Sequence, residues 1–410
     1  MHATEIERKD TRQERGLKIA AMLKLQKGKC WTVPSQTGTG CYTVDPIGKT
    51  CSCPDFQTRN VICKHQIAVQ VVIERETKPD GTIKTTKTVR MTYSQQWSTY
   101  DAAQMHEAER FEELLCRLCA GIEQPTQVLG RPQLPLSDVV FALALKSYST
   151  MSGRRATSYI RSAESKGLID RTPHYSSAFR RLESEDLTPV LKALIEQSSL
   201  PLQTVEDRFA IDSTGFATNT YSRWFDHKWG KMRSEQKWIK LHFMTGVATN
   251  VITAVEATAH ESADAPQLPA LLNKTAESFA ISELSADKAY SSKRNLRAVE
   301  AVGAVPYIPF KEGTKAVPSI KTEQDALWAK MWYYYNFRRD EFLAHYHVRS
   351  NAETTAMMLK AKFGASVRAK LPTAQINEVL LKCLCHNLCV LVQSIYELDL
   401  EPVFWHNRSD

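Results

Sequence analysis

The second half of the chain follows an alternation that few folds accommodate. Arg208-Phe-Ala-Ile-Asp212-Ser-Thr-Gly215 reads as an apolar strand that ends in an acid and a turn. Residues 238–246 and 250–258 read as two strands joined by a short hairpin, and a helix follows near 264–278. Residues 282–290 form a short strand ending in a second acid, Asp287. A helix over 291–302 then leads to a strand over 305–310, and beyond Lys330 the pattern is helical nearly to its end. Hairpin connections allow antiparallel neighbours, whereas strands separated by helices pair in parallel. The pattern therefore predicts an α/β domain with a mixed sheet flanked by helices. Asp212 and Asp287 fall at strand ends, where each is either a functional acid or a turn and helix cap.

Near the C-terminus, Tyr346-His-Val-Arg349-Ser-Asn-Ala-Glu353-Thr-Thr-Ala-Met-Met-Leu-Lys360 carries polar residues at offsets of three, seven and fourteen. At ~100° per residue, Tyr346, Arg349, Glu353 and Lys360 fall on one narrow helix stripe. Arginine and lysine hold phosphate oxygens, and a carboxylate offers magnesium a hard oxygen ligand. A solvated charged face is the plain alternative.

Three strands, then helix–strand–helix–strand, then helices, is the order of an RNase H-like fold, whose first and fourth strands are central neighbours. Asp212 and Asp287 would then face one pocket, with Glu353 approaching from a helix. Three converging carboxylates repel one another unless cations stand between them. A pair of magnesium ions ~3.5–4 Å apart suits such a cluster and drives in-line phosphodiester chemistry.

With these motifs together, the chain resembles the DDE transposases of the insertion-sequence type that bear a Tyr-Arg-Glu-Lys signature. Tyr346, Arg349, Glu353 and Lys360 match it at every spacing, Ile211-Asp212-Ser213-Thr214 matches the first-aspartate strand, and Ala286-Asp287-Lys288-Ala289-Tyr290 the second. The resemblance spans about 97–395. It implies that Asp212, Asp287 and Glu353 are catalytic and hold Mg2+ or Mn2+, that Arg349 and Lys360 grip phosphates, and that Tyr346 supports the same strand. It also implies double-stranded DNA as partner (transposon ends and target), a homodimer on paired ends, and no membrane. Only 66 positions separate Asp287 from Glu353, too few for the large β-rich insertion of some relatives. A captured, non-enzymatic DNA-binding protein and a recombinase using Tyr346 as nucleophile are the rival readings.

The N-terminal part carries a different chemistry. Cys51-Ser-Cys53, then Cys63-Lys-His65, supplies three thiolates and an imidazole, the donor set of a structural Zn2+ site. The spacing resembles the SWIM zinc finger, in which a β-hairpin precedes the first two ligands and the last two open a helix. Residues 30–33 and 41–44 suit the hairpin strands, with Gly38-Thr-Gly40 at the turn, and 65–72 the helix. Cys116 and Cys119, and Cys383, Cys385 and Cys389, lie on amphipathic or apolar helices and read as core.

These motifs divide the chain into a charged N-terminal helix (1–29), the zinc finger (30–75), a linker or hairpin (76–96), a helical DNA-binding region (97–204), the RNase H-like catalytic domain (205–395) and a tail (396–410). Helices near 136–149, 154–167 and 174–184, carrying Arg154, Arg155, Arg161, Arg180 and Arg181, read either as a helix-turn-helix-like DNA reader or as a plain helical domain. Residues 223–240 interleave six basic residues with Trp224, Phe225, Trp229 and Trp238, which suits phosphates and exposed bases, or else a basic loop with tucked aromatics. His260-Glu261 reads as a helix start. A net charge of +8 suits a polyanionic partner. Ten cysteines without an apolar leader segment point to a reducing compartment, so the expected location is cytoplasmic, at the nucleoid. No apolar run approaches the ~20 residues of a membrane span.

Overall fold

A computed structural model describes residues 16, 19, 31–34, 41–45, 48–59, 62–69, 97–126, 133–218, 238–259, 261–316 and 322–405. Most of the expected N-terminal helix, the 76–96 linker, the hairpin turn at Gly38, nearly all of the basic and aromatic stretch before Trp238, and His260 lie outside them. The chain divides into two compact units, 1–96 and 97–410.

In the first unit, strands β1 (Trp31–Pro34), β2 (Cys41–Asp45) and β3 (Thr50–Cys51) form an antiparallel sheet in that order. Helix α1 (Pro54–Arg59) and a helical segment over 64–69 follow. Trp31, Val33, Val44, Ala68 and Val69 bury around the cysteines. Gln66 ties the parts together: its side chain accepts from Cys63 N at 2.9 Å and donates to Lys49 O at 2.7 Å.

The second unit begins with six helices: α2 (Trp97–Met105), α3 (Glu107–Cys119), α4 (Leu136–Tyr148), α5 (Gly153–Ser165), α6 (Tyr175–Leu182) and α7 (Leu187–Ser199). Five strands follow: β4 (Arg208–Ala217), β5 (Trp238–Gly246), β6 (Ile252–Ala259), β7 (Glu283–Ala286) and β8 (Val305–Tyr307). Helices α8 (Leu268–Ala276) and α9 (Lys293–Ala301) flank β7. Then come α10 (Glu323–Phe337), α11 (Arg339–Tyr346), α12 (Ser350–Phe363) and α13 (Pro372–Leu398). The sheet order is β6-β5-β4-β7-β8, antiparallel from β6 to β4 and parallel from β4 to β8. This is the expected mixed sheet, with the first and fourth of its strands adjacent.

Side chains alternate across a strand, so β4 serves two cores. Phe209 and Ile211 pack with Met244, Leu284 and the helices α8 to α11. Ala210 and Phe216 pack on the other face with Leu241, Phe243, α12, α13 and the helices from α3 to α7. The helices expected at 97–204 therefore share one core with this side of the sheet. Cys119, Cys383 and Cys385 are buried in it.

Helix α13 is, among the described residues, the one helix long and apolar enough to cross a membrane, contrary to the expectation that no such run exists. It lies inside the core. Its polar residues are satisfied there: Asn387 accepts from Ile252 N at 2.8 Å and donates to Ile252 O at 2.7 Å, and Lys382 donates to Gly364 O and Ser366 O.

Two further expectations need correcting. Strand β4 does not end at Asp212 but runs on to Ala217, pairing with β5 as far as Trp238. Gly215 reads as a turn in sequence, yet it lies within the strand, paired with Lys240 of β5 and covered by the Trp238 indole. A Cβ there would stand 3.2 Å from the ring. The signature stripe is also not one helix: α11 ends at Tyr346, and a 3-10 turn over His347–Arg349 leads into α12.

Candidate functional site

The parallel ladder between β4 and β7 closes at the pair Ile211 and Ala286. The next residues are Asp212, still in β4, and Asp287, just past the end of β7, so register alone brings the two acids side by side. Asp287 has an extended backbone and makes no side-chain cap bond to the 3-10 turn that follows, which removes the capping alternative for it. Asp212, inside a strand, caps nothing.

Helix α12 lies against β4 and β5 and brings Glu353 to the same place. Arg349, on the turn before it, stands between the three carboxylates. Its Nη1 is 2.5 Å from Glu353 Oε1, and its Nη2 is 3.5 Å from Asp212 Oδ1 and 3.9 Å from Asp287 Oδ2. The sequence pointed to Arg349 as a phosphate ligand; in this arrangement its charge balances the acids. A cleft of about 520 Å³ opens beside them, lined by Asp212, Ser213, Thr214, Glu353, Met357 and Lys360. Tyr346 packs against the core beside β7.

Burial raises the Asp212 carboxyl above its ordinary range; the Ser213 N–H and Arg349 oppose this, while Glu353 and Asp287 add to it. Burial also opposes the Arg349 charge, but Asp212 and Glu353 more than offset it and hold the guanidinium above its ordinary value. Lys360 is lowered by burial, with Asp212 acting against the shift. Each sign follows from removing charge from water and placing it near opposite charge.

What holds α12 in register had no signal in the charged stripe. Thr355, fully buried, has its hydroxyl within reach of Asn351 O (2.9 Å), Asn250 Oδ1 (3.2 Å) and Thr245 Oγ1 (3.3 Å). Asn351 donates to Val247 O at 2.8 Å, and the Asn250 carbonyl accepts from His386 Nε2 at 2.9 Å. Asn250 adopts a left-handed conformation (φ 66°), which asparagine tolerates. The network pins the core side of α12 to the β5–β6 turn and so aims Glu353 at Asp212. Its one trace in the sequence is a pair of polar residues four apart, Asn351 and Thr355, on the helix side away from Glu353.

In the first unit, Cys51, Cys53, Cys63 and His65 bring their ligand atoms within 4.8 Å of one another, and all four are buried. His65 Nδ1 lies 3.9 Å from both Cys51 Sγ and Cys63 Sγ. Burial raises the Cys51 and Cys63 thiols and lowers His65 to about 4, so the imidazole is neutral. A buried cluster of three sulfurs and one neutral imidazole, with no carboxylate, fits tetrahedral zinc by donor type and spacing.

On α5 and α6, Arg154, Arg155, Arg161 and Arg180 are exposed and Arg181 is half-buried. Arg154 lies over the Tyr175 ring, 5.5 Å from its centre.

Residues 203–388 match the family described as "Transposase DDE domain", from the approach to β4 through most of α13. Residues 42–69 match the "SWIM zinc finger" family, a span that contains all four clustered ligands. No curated protein matches the chain.

Proposed function

We propose, for a chain that carries a transposase DDE domain and a SWIM zinc finger, that it cleaves one strand at each transposon end and joins the freed 3′-OH to target DNA. The observation that carries this reading is the convergence of Asp212, Asp287 and Glu353 at the end of the parallel ladder around a single guanidinium. Such a donor set, all oxygen and beside an open cleft, fits Mg2+ or Mn2+. Asp212, Asp287 and Glu353 would hold it, and a divalent cation there lowers the pKa of an attacking water or hydroxyl and offsets charge on the leaving oxygen.

The protein's own residues then have distinct tasks. The acids supply charge at fixed positions on two strands and one helix. Arg349 balances them in the present arrangement and becomes available to a phosphate once a cation takes over that role. Lys360, farther along the same cleft, holds a second phosphate oxygen, and Tyr346 packs the turn that carries Arg349. End recognition falls to the exposed arginines of α5 and α6, assisted by the finger. Two ends must meet for joining, so a homodimer assembles on paired ends, acting at the nucleoid in the cytoplasm. All three acids are in place, which argues against a captured binding protein.

The test is nicking of a duplex carrying the element's terminal inverted repeats, with and without Mg2+. Asp212→Asn should bind that duplex like the parent and fail to cut it. Undiminished cleavage by the variant refutes the assignment. A covalent protein–DNA adduct through Tyr346 would instead establish a recombinase.

A further inference from the structure

A second cavity, of about 370 Å³, lies apart from the acidic cleft, lined among others by Lys146, Gly153, Phe179, Glu183, Arg368 and Lys370. It lies between the ends of α4 and α6, the start of α5, and the segment joining α12 to α13. Gly153 lets one wall close up: a Cβ there would stand 2.5 Å from the Phe179 ring, which packs directly against this backbone.

The charges on its wall are not balanced internally. Burial lowers Lys146, half-buried in the last turn of α4, and Glu378 acts against that shift. Glu378 is already engaged, accepting from Arg368 N at 3.0 Å and Ala369 N at 2.9 Å. Among the described residues, the side chains of Lys146, Arg368 and Lys370 form no hydrogen bond or ion pair. At the mouth, Ser152 starts α5 without a side-chain cap, so the first-turn amides add partial positive charge on the same side. Glu183, exposed, is the one carboxylate on the wall without such a role. Three unpaired cations around a cavity call for an anion with several acceptor oxygens.

The cavity is tied to the catalytic strand. Ala217, at the end of β4, donates to Ala365 O at 3.0 Å and accepts from Val367 N at 2.9 Å. Ala217 is five steps along the strand from Asp212, about 17 Å at ~3.3 Å per residue. A duplex covers that length in about five base steps at ~3.4 Å each.

We propose that this cavity seats a backbone phosphate of the DNA whose scissile bond lies at the Asp212 cleft, with Lys146, Arg368 and Lys370 as its ligands. The assignment rests on the transposase reading and adds a contact outside the reacting centre. It is tested with the full chain by fluorescence anisotropy on terminal-repeat and scrambled duplexes across a salt series. Lys146→Met keeps the buried stem, and Arg368→Ala with Lys370→Ala changes only exposed positions. Each variant should bind both duplexes about tenfold more weakly near 0.1 M salt, with the log–log salt slope reduced by about one per lost contact. Single-turnover nicking at saturating DNA should stay within about twofold of the parent. Unchanged affinity and slope in the Arg368/Lys370 variant, whose folding is not at issue, overturn the proposal. So does millimolar inorganic phosphate that raises the parent's Tm but not that of Lys146→Met while duplex binding is equal, which marks a free-anion pocket. A parent protein that binds neither duplex removes the transposase reading as well, which separates the two failures.

Discussion

Replacing Thr355 by valine keeps the β-branched shape and removes one hydroxyl from the core side of the helix that carries Glu353. That hydroxyl shares its proton between Asn351 O, at 2.9 Å, and Asn250 Oδ1, at 3.2 Å, and it also meets Thr245 Oγ1. Thr245 retains Val251 O at 3.0 Å, so the atom left without a partner is Asn250 Oδ1. Removing the bond to this half-buried acceptor costs about 1 kcal/mol, the typical net worth of a hydrogen bond. Unfolding entropy of ~2.1 cal/mol/K per residue over roughly 300 residues converts this to a fall in Tm of about 2 °C. Thr355 is two residues from Glu353, so a relaxed α12 shifts the carboxylate relative to Asp212. A misplacement of ~1 Å costs about a hundredfold in rate. Thr355→Val should therefore lower single-turnover nicking by about 10–100-fold at unchanged duplex affinity, and Thr355→Ser should restore most of it. A valine variant with the expected drop in Tm but the parent's nicking rate would show that the hydroxyl stabilises the fold without setting the register of Glu353.

Two other perturbations probe separate parts of the molecule. Chelation, or Cys63→Ser, should release one equivalent of zinc by elemental analysis and expose 31–69 to proteolysis while the melting of 97–405 is unchanged; full zinc retention by the serine variant would remove Cys63 from the ligand set. His386 is buried with Nε2 against the Asn250 carbonyl, and burial lowers it from 6.5 to about 4, so the folded state keeps it neutral while the unfolded chain protonates first. Its contribution is therefore complete above about pH 6.5 and declines as pH falls toward 4. Denaturant midpoints should lose this part of their pH dependence in His386→Gln, and parallel profiles for the two proteins would refute it.

Much of the candidate site is legible in the sequence. The residue types, the order of the acids and the spacing from Tyr346 to Lys360 follow from the sequence, because metal and phosphate chemistry admits few side chains. The zinc ligands were legible for the same reason: four donors within fifteen residues need only a hairpin and a helix start to converge. The alternation of hairpins and helical crossovers gave the mixed sheet, and the adjacency of its first and fourth strands came with the RNase H-like order it matches. Local reading failed where a neighbour distant in sequence decided the outcome. Ser213-Thr214-Gly215 has the composition of a turn, but each pairs with a residue of β5, the Trp238 indole packs over the glycine, and β4 continues. Helix α13, by contrast, reads as core from its sequence and lies in the core; Asn387 and Lys382 are tolerated in the interior because Ile252 and the 364–366 carbonyls receive their hydrogen bonds.

The sequence by itself determined which side chains can do the chemistry and in what topological order they occur. Tertiary structure alone decided that Asp212 and Asp287 leave the parallel ladder together, since register is a property of two paired strands and of neither alone. It also decided that Arg349 lies among the acids and that Thr355 and Asn250 aim the helix. The contacts of Arg349 with Asp212 and of Thr355 with Asn250 each span more than a hundred residues of chain, and in them one polar atom taken from water is tolerated because another comes to meet it.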